Sequence, residues 1–167
     1  IFKNDTKVTS VTQNITIAAN TNQVLHQDVI VNSPILWSDE KPELYTAVTT
    51  ISVDSKIVDE YQTSFGIRSF KFDLNKGFLL NGKQVKIKGV CMHHDLGPLG
   101  SAINTRAIER QLEILKGMGV NGIRTSHNPP APELLDLCDK MGFIVMDEAF
   151  DIWKKAKTKF DYSLDWD

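Results

Sequence analysis

The sequence predicts two folds in tandem, an antiparallel β domain followed by an α/β domain, and three observations carry this. From Val8 to about Phe72, apolar and mostly β-branched residues recur at the short spacing of strands, with turn-forming clusters between them. Beyond Val90 the apolar period lengthens to that of helices, alternating with short apolar strands, which is the βαβ rhythm of a parallel sheet. Between the two lies Asn81-Gly82, flanked by apolar arms. We therefore read residues 1–72 as the β domain and 73–167 as the α/β domain.

In the first domain the strand-like runs are Ile15-Thr16-Ile17, Val24-Leu25, Val29-Ile30-Val31, Val48 to Val53, Ile57-Val58 and Tyr61. Asn20-Thr21-Asn22, Asn32-Ser33-Pro34 and Asp54-Ser55-Lys56 separate them as turns would, which predicts an antiparallel sandwich. Over residues 78–90 Asn-Gly supplies the two positive-φ positions of a type I′ hairpin turn. Ile108, Leu112, Leu115 and Met118 then fall on one face of a helix that Asn104 or Thr105 caps and Gly117 or Gly119 ends. A strand over 120–125 follows, then a helix opened by Pro132 and closed at Gly142, then a strand over 143–146. No internal repeat beyond this alternation is visible.

Of 167 residues, 41% are hydrophobic and 24% charged, the balance of a folded chain. A net charge of -2 gives no basic field for nucleic acid or an anionic lipid surface, so neutral substrates and other proteins are the default partners. Cys91 and Cys138 are too few and too differently placed for a disulfide framework or zinc cluster, and both are expected to be buried thiols. No apolar run approaches the ~20 residues of a membrane span, and no charged start precedes an apolar stretch. The chain opens on Ile1 and closes on Asp165-Trp166-Asp167, and it is expected to be cut from a longer protein at both ends.

The strand over 120–125 carries Arg124 and His127 to its C-terminal end, and the strand over 143–146 carries Asp147 and Glu148 to the same side. In a parallel α/β barrel that side is where chemistry sits. Val90-Cys91-Met92-His93-His94-Asp95 is expected to follow the first strand and emerge there too. His93 or His94 with Asp95 reads as a metal-ligand set, a general-base pair or a polar loop. Adjacent side chains on an extended segment point apart, so the tripeptide is a weak metal signal.

The run Asn121-Gly122-Ile123-Arg124-Thr125-Ser126-His127-Asn128-Pro129, its spacing to Leu134-Leu135, Asp139 and Gly142, and the four apolar residues after that glycine together resemble the first signature of glycoside hydrolase family 2. That family includes β-galactosidases, β-glucuronidases and β-mannosidases. Leu36-Trp37-Ser38, Pro42-Glu43-Leu44-Tyr45 and Phe65-Gly66-Ile67-Arg68 resemble landmarks of the immunoglobulin-like domain that precedes its barrel, and we read Trp37 and Tyr45 as core packing. The resemblance implies part of an immunoglobulin-like β-sandwich followed by the first three βα units of a (β/α)8 barrel. It implies a retaining exo-β-glycosidase, most like a β-galactosidase, working through a covalent glycosyl-enzyme intermediate. The alternatives are a non-catalytic carbohydrate-binding or protein-interaction module, or a β-glucuronidase or β-mannosidase of the same family.

By the same resemblance His93 and His127 contact the sugar, with Asn128 at the pocket floor where Tyr is common in the family. Arg124 reads as a buried anchor for the carboxylates of the site, or as a structural ion pair inside the barrel, rather than a sugar contact, and Glu148, beside Asp147, braces the site by pairing with Arg124. Asp147 and Glu148 are not read as the catalytic pair. Neighbours on a strand point to opposite sides and cannot flank one glycosidic bond at the ~5 Å a retaining mechanism needs. The acid/base and nucleophile glutamates are expected beyond Asp167, so the chain alone is expected to be inactive. Its partners would be a β-linked oligosaccharide or glycoside and the remainder of its own barrel.

Family members that hold magnesium carry a Glu and a His shortly after the Asp-Glu-Ala element, where this chain has Ile152 and Lys154. An ammonium in place of an imidazole argues against that metal, and no cofactor is implied. Asp151-Ile152-Trp153 and Phe160-Asp161-Tyr162 read either as stacking surface for a sugar or as loop packing.

Overall fold

The computed structural model describes residues 1–152, 155–161 and 163. They form two compact units, Ile1–Trp37 with Glu43–Ile67, and Ser38–Pro42 with the chain from Arg68 onward.

In the first unit β1 (Phe2–Lys3), β2 (Thr6–Lys7), β3 (Tyr45–Val53) and β4 (Lys56–Phe65) make one antiparallel sheet in the order β2-β1-β3-β4. Its hairpins turn on Asn4-Asp5 and Asp54-Ser55, all at positive φ, the conformation whose twist matches that of the flanking strands. The core is small. Trp37 is buried, its backbone N–H donates to the Ile67 carbonyl at 2.9 Å, and a Cβ at Gly66 would lie 2.9 Å from the indole. The glycine of Phe65-Gly66-Ile67-Arg68 is thus the residue that lets the chain pass the ring. Tyr45 stacks on its cross-strand neighbour Phe65 at 5.9 Å, and its hydroxyl accepts from Ile35 N at 2.8 Å.

Two expectations for this unit need correction. Residues 8–44 contain no strand, although Ile15-Thr16-Ile17, Val24-Leu25 and Val29-Ile30-Val31 have the composition of one. Alternation says which face a strand would bury if a partner lay opposite; here no strand pairs with this stretch, and Val24 and Ile30 stand 79% and 76% exposed. The second concerns the expected partial sandwich, of which the described residues form one antiparallel layer.

The second unit opens with β5 (Phe70–Asp73), β6 (Gly77–Leu80) and β7 (Lys83–Gln84) in an antiparallel sheet of that order. Asn81 and Gly82, with φ of 51° and 77°, make the two-residue turn that the Asn-Gly pair predicts. Then follow β8 (Gly89–Met92), a 3₁₀ turn (Gly97–Leu99), α1 (Thr105–Gly117), β9 (Gly122–Thr125), α2 (Pro132–Met141) and β10 (Ile144–Met146). The last three strands are parallel in the order β10-β9-β8. Val90, Cys91 and Met92 belong to the first of these strands rather than following it.

The sheet has two unlike faces. Val90, Ile123 and Val145, in register across β8, β9 and β10, pack with Ile108 and Leu112 of α1 and Leu134, Leu137 and Cys138 of α2. One residue on, the aligned Cys91, Arg124 and Met146 lie outside that core. Asn104 caps α1, its side chain accepting from Ala107 N at 3.0 Å, while Met118 falls past the last turn and is 72% exposed rather than on the packed face.

The opposite end of the sheet is fastened by Asn121 and Lys116. Asn121 accepts from Lys88 N at 2.7 Å and donates to Lys86 O at 3.2 Å and Asp39 Oδ2 at 2.8 Å. Lys116 Nζ donates to the carbonyls of Asp39 and Gly142 at 2.8 and 2.9 Å. The first residue of the Asn121–Pro129 signature is therefore a structural clip, remote along β9 from the residues at its far end. No described helix is long and apolar enough to cross a membrane.

Candidate active-site wall

Three parallel strands end together, so the residues that follow them share one rim. Arg124, near the end of β9, donates from Nε to Glu148 Oε1 at 2.5 Å, and Glu148 lies two residues beyond β10. Its Nη1 reaches Cys91 Sγ of β8 at 3.4 Å and its Nη2 lies 3.4 Å from His127 Nδ1. His127 Nδ1 also lies 3.1 Å from Glu148 Oε2. Arg124 can only donate, and the contact to the carboxylate is the shorter one. The favoured tautomer therefore carries its proton on Nδ1, donated to Glu148, and leaves Nε2 as an acceptor.

The electrostatics follow from this geometry. The Arg124 guanidinium, aided by the His127 hydrogen bond, holds the Glu148 carboxyl below the usual carboxylate range against a smaller opposing effect of desolvation. Glu148 in turn raises the Arg124 value further. The Ser126 hydroxyl and Arg124 lower the Cys91 thiol.

Asp147 takes the other side. Its Oδ1 accepts from Thr125 Oγ1 at 3.2 Å, and the same hydroxyl accepts from Glu148 N at 2.9 Å. Thr125 is buried, whereas Arg124 beside it on β9 is 41% exposed at its side chain. The two carboxylates are thus held by neighbouring residues that face opposite ways. The His93 ring stands edge-on to that of His127 with centroids 5.5 Å apart, and Asn128 is exposed beside them. His94 and Asp95 serve their own loop, His94 Nε2 against Ser101 O at 2.9 Å and Asp95 Oδ1 accepting from Gly97 N at 2.7 Å.

Two contributors were not singled out from sequence. Cys91 is exposed on the Arg124 face, which corrects its expected burial; Cys138 is buried, and desolvation pushes its thiol up to about 12. Cys91 meets Arg124 only through the β8–β9 register, which residue spacing does not encode. Thr125 carried a signal, a hydroxyl at a strand end flanked by polar residues, but its partners lie two elements away.

Ile152, where a magnesium-binding relative would place a ligand, is buried and offers no oxygen or nitrogen donor, so the residues present do not fit that ion. Lys154, Trp153 and Tyr162 lie outside the described residues. Asp161 closes its own loop, accepting from Ser163 Oγ, Thr158 N and Lys157 N, bonds that hold its carboxyl down to about 2, and Phe160 beside it is 89% exposed.

Comparison with known proteins decides the family. Residues 1–68 match the family described as Glycosyl hydrolases family 2, and residues 73–163 match Glycosyl hydrolases family 2, TIM barrel domain. The chain belongs to glycosyl hydrolase family 2. It is 64% identical over 140 residues to a β-galactosidase of Bacteroides ovatus, covering 84% of this chain and 16% of that protein. It is 31% identical over 137 residues to a β-glucuronidase of Bacteroides fragilis, covering 81% of this chain and 20% of that one. Among solved structures, a family 2 member from Bacteroides cellulosilyticus superimposes with a TM-score of 0.75 at 47% identity, over 80% of this chain and 17% of that one. A β-glucuronidase of Parabacteroides merdae gives a TM-score of 0.68 at 33% identity, over 76% of this chain and 16% of that one. The family 2 chain therefore spans a fifth or less of the length of these relatives.

Proposed function

We propose that this chain forms the sugar-binding wall of a retaining exo-β-glycosidase, most like a β-galactosidase. In this reading β8, β9 and β10 with their helices are the first three βα units of the family's barrel, and the face bearing Cys91, Arg124 and Met146 is the barrel interior. The observation that carries it is the Arg124–Glu148–His127 network at the C-terminal ends of three parallel strands. A sugar hydroxyl donates to His127 Nε2, His93 and Asn128 bind neighbouring hydroxyls, and Arg124 with Glu148 keeps the imidazole from turning. As the ring flattens toward an oxocarbenium ion, a bond from a fixed acceptor can strengthen, which favours the transition state over the ground state. The acid/base and nucleophile glutamates come from strands outside this chain.

A neutral sugar suits the rim better than a uronate. Among the described residues Arg124 is the cation at the rim, and its guanidinium is already committed to Glu148. The test is steady-state kinetics of the longer enzyme on aryl β-galactoside, β-glucuronide and β-mannoside, with and without His127→Ala. We expect the galactoside to be preferred, and the substitution to lower kcat together with kcat/KM by roughly 2 to 4 kcal/mol of transition-state stabilisation. Wild-type constants in the variant would remove His127 from the site, and hydrolysis of none of the three would favour a binding module.

A further inference from the structure

β10 ends at Met146, paired with Arg124 of β9, so Glu148 stands two residues past the last rung of the parallel ladder. Its backbone N–H, a group that can only donate, is taken by the Thr125 hydroxyl at 2.9 Å. The hydroxyl therefore accepts there, and its one proton goes to Asp147 Oδ1 at 3.2 Å. Thr125 is buried, and its side chain supplies a rung beyond the point where the strand pairing stops. The polarity of this chain is fixed at each step, from the Glu148 N–H through the hydroxyl to the Asp147 carboxylate.

At the Glu148 side chain, His127 Nδ1 has two neighbours that ask for opposite protonation. Glu148 Oε2, at 3.1 Å, only accepts and needs a proton on Nδ1. Arg124 Nη2, at 3.4 Å, only donates and needs Nδ1 bare, with the ring proton on Nε2. The two distances differ little, so the tautomer depends on where the Glu148 carboxylate is held. The Arg124 ion pair steers that carboxylate from one side, but it joins two side chains and leaves the Glu148 backbone to be fixed from elsewhere. Thr125 is what fixes it.

We propose that Thr125 is a positioning residue whose hydroxyl, acting through the backbone of Glu148, sets the tautomer of His127 and keeps its Nε2 an acceptor. The consequence for ligands rests on the sugar-binding reading above: an Nε2 acceptor calls for a donor, which a sugar hydroxyl supplies and a fluorine or a carboxylate oxygen does not. The test is nitrogen-15 NMR of the His127 ring in the full chain, at a pH where the ring is neutral, with Thr125→Val and Thr125→Ser beside the unaltered chain. The unaltered chain should carry the proton on Nδ1. Thr125→Val keeps the branched shape and removes the hydroxyl, so it should move the folded population toward the Nε2-protonated form, and Thr125→Ser should restore the original. If Thr125→Val does not fold, Thr125→Ala carries the same expectation. A proton on Nε2 in the unaltered chain, a tautomer unmoved by loss of the hydroxyl, or a serine variant that behaves like the valine one overturns the proposal. A purely structural role would lower the melting temperature and leave the tautomer of the folded chain as it was. Binding extends the test to ligands: replacing the one hydroxyl of methyl β-galactoside that meets Nε2 by fluorine, found among the four monodeoxyfluoro analogues, should weaken affinity about fivefold, and this loss should shrink in Thr125→Val. A loss of the same size in that variant also overturns the proposal. If methyl β-galactoside does not bind at all, the sugar-site reading fails, and the tautomer measurement still decides the role of Thr125.

Discussion

Glu148 is held by groups that arrive from two other places in the sequence, the Arg124 side chain and the His127 ring, while its own N–H is held by Thr125. Because its folded value is depressed, its contribution to stability is present above the unfolded carboxylate range near ~4.3 and is lost as pH falls through the lower folded value. A carbon-13 titration of the Glu148 carboxyl should therefore give a midpoint below that range, and Arg124→Gln should raise it; a midpoint unmoved by the substitution would detach Glu148 from Arg124. The two thiols differ in the opposite sense to each other. Cys91, exposed and lowered by Ser126 and Arg124, should be alkylated by iodoacetamide at neutral pH, while Cys138, buried and raised, should react only on unfolding. Mass spectrometry that finds both labelled at equal rates in the folded chain would contradict the packing of α2. The Arg124 and Glu148 positions were legible because one stands near the end of an apolar strand and the other just beyond the end of a second strand running in the same sense. The Cys91 contact was not, since it depends on how β8 slides against β9.

At the scale of elements, local signals and long-range ones divide what could be read. The Asn81-Gly82 turn, the Asn104 cap and the Pro132-to-Gly142 bounds of α2 are fixed by chemistry within a few residues, and each stands where the sequence predicts it. Strands over residues 8–44 were misjudged because a strand needs a partner that no local pattern supplies. Gly142 joins the two kinds of constraint. Its φ of 75° ends α2 in the left-handed region, where its N–H donates to Cys138 O at 2.9 Å. A Cβ there would also fall 2.4 Å from the carbonyl oxygen of Asp39, in the segment that Lys116 and Asn121 hold. Gly142→Ala therefore combines a strained backbone with a clash against backbone atoms, and it should cost more than about 2 kcal/mol by urea unfolding. A loss below about 0.5 kcal/mol would mean that the Asp39 segment moves freely, and the clip would have to be abandoned.

For the molecule as a whole, the parallel sheet is the informative object. Parallel sheets are ordinarily covered on both faces, yet among the described residues only the Val90–Ile123–Val145 side of this one is packed by helices, and Met146 on the other side is 65% exposed. In the reading proposed above, this face, with its ion-paired arginine, thiol and exposed methionine, is a barrel lumen that further strands would close. What this wall lacks is a displacement pair. A retaining mechanism needs two carboxyl groups ~5 Å apart across one bond, one uncharged to donate a proton and one free to attack. Glu148 is ionised and occupied by Arg124 and His127, and Asp147 is turned to Thr125 on the opposite face, so these two do not meet that requirement. The 167-residue chain should therefore release no nitrophenol from a 4-nitrophenyl β-galactoside, while methyl β-galactoside still perturbs the His93 and His127 ring signals in NMR. Hydrolysis that disappears in an Asp147→Ala, Glu148→Ala double variant would place the reacting carboxylates here after all. Hydrolysis that survives the double variant would show instead that chemistry is possible without them and would end the inactive-wall description.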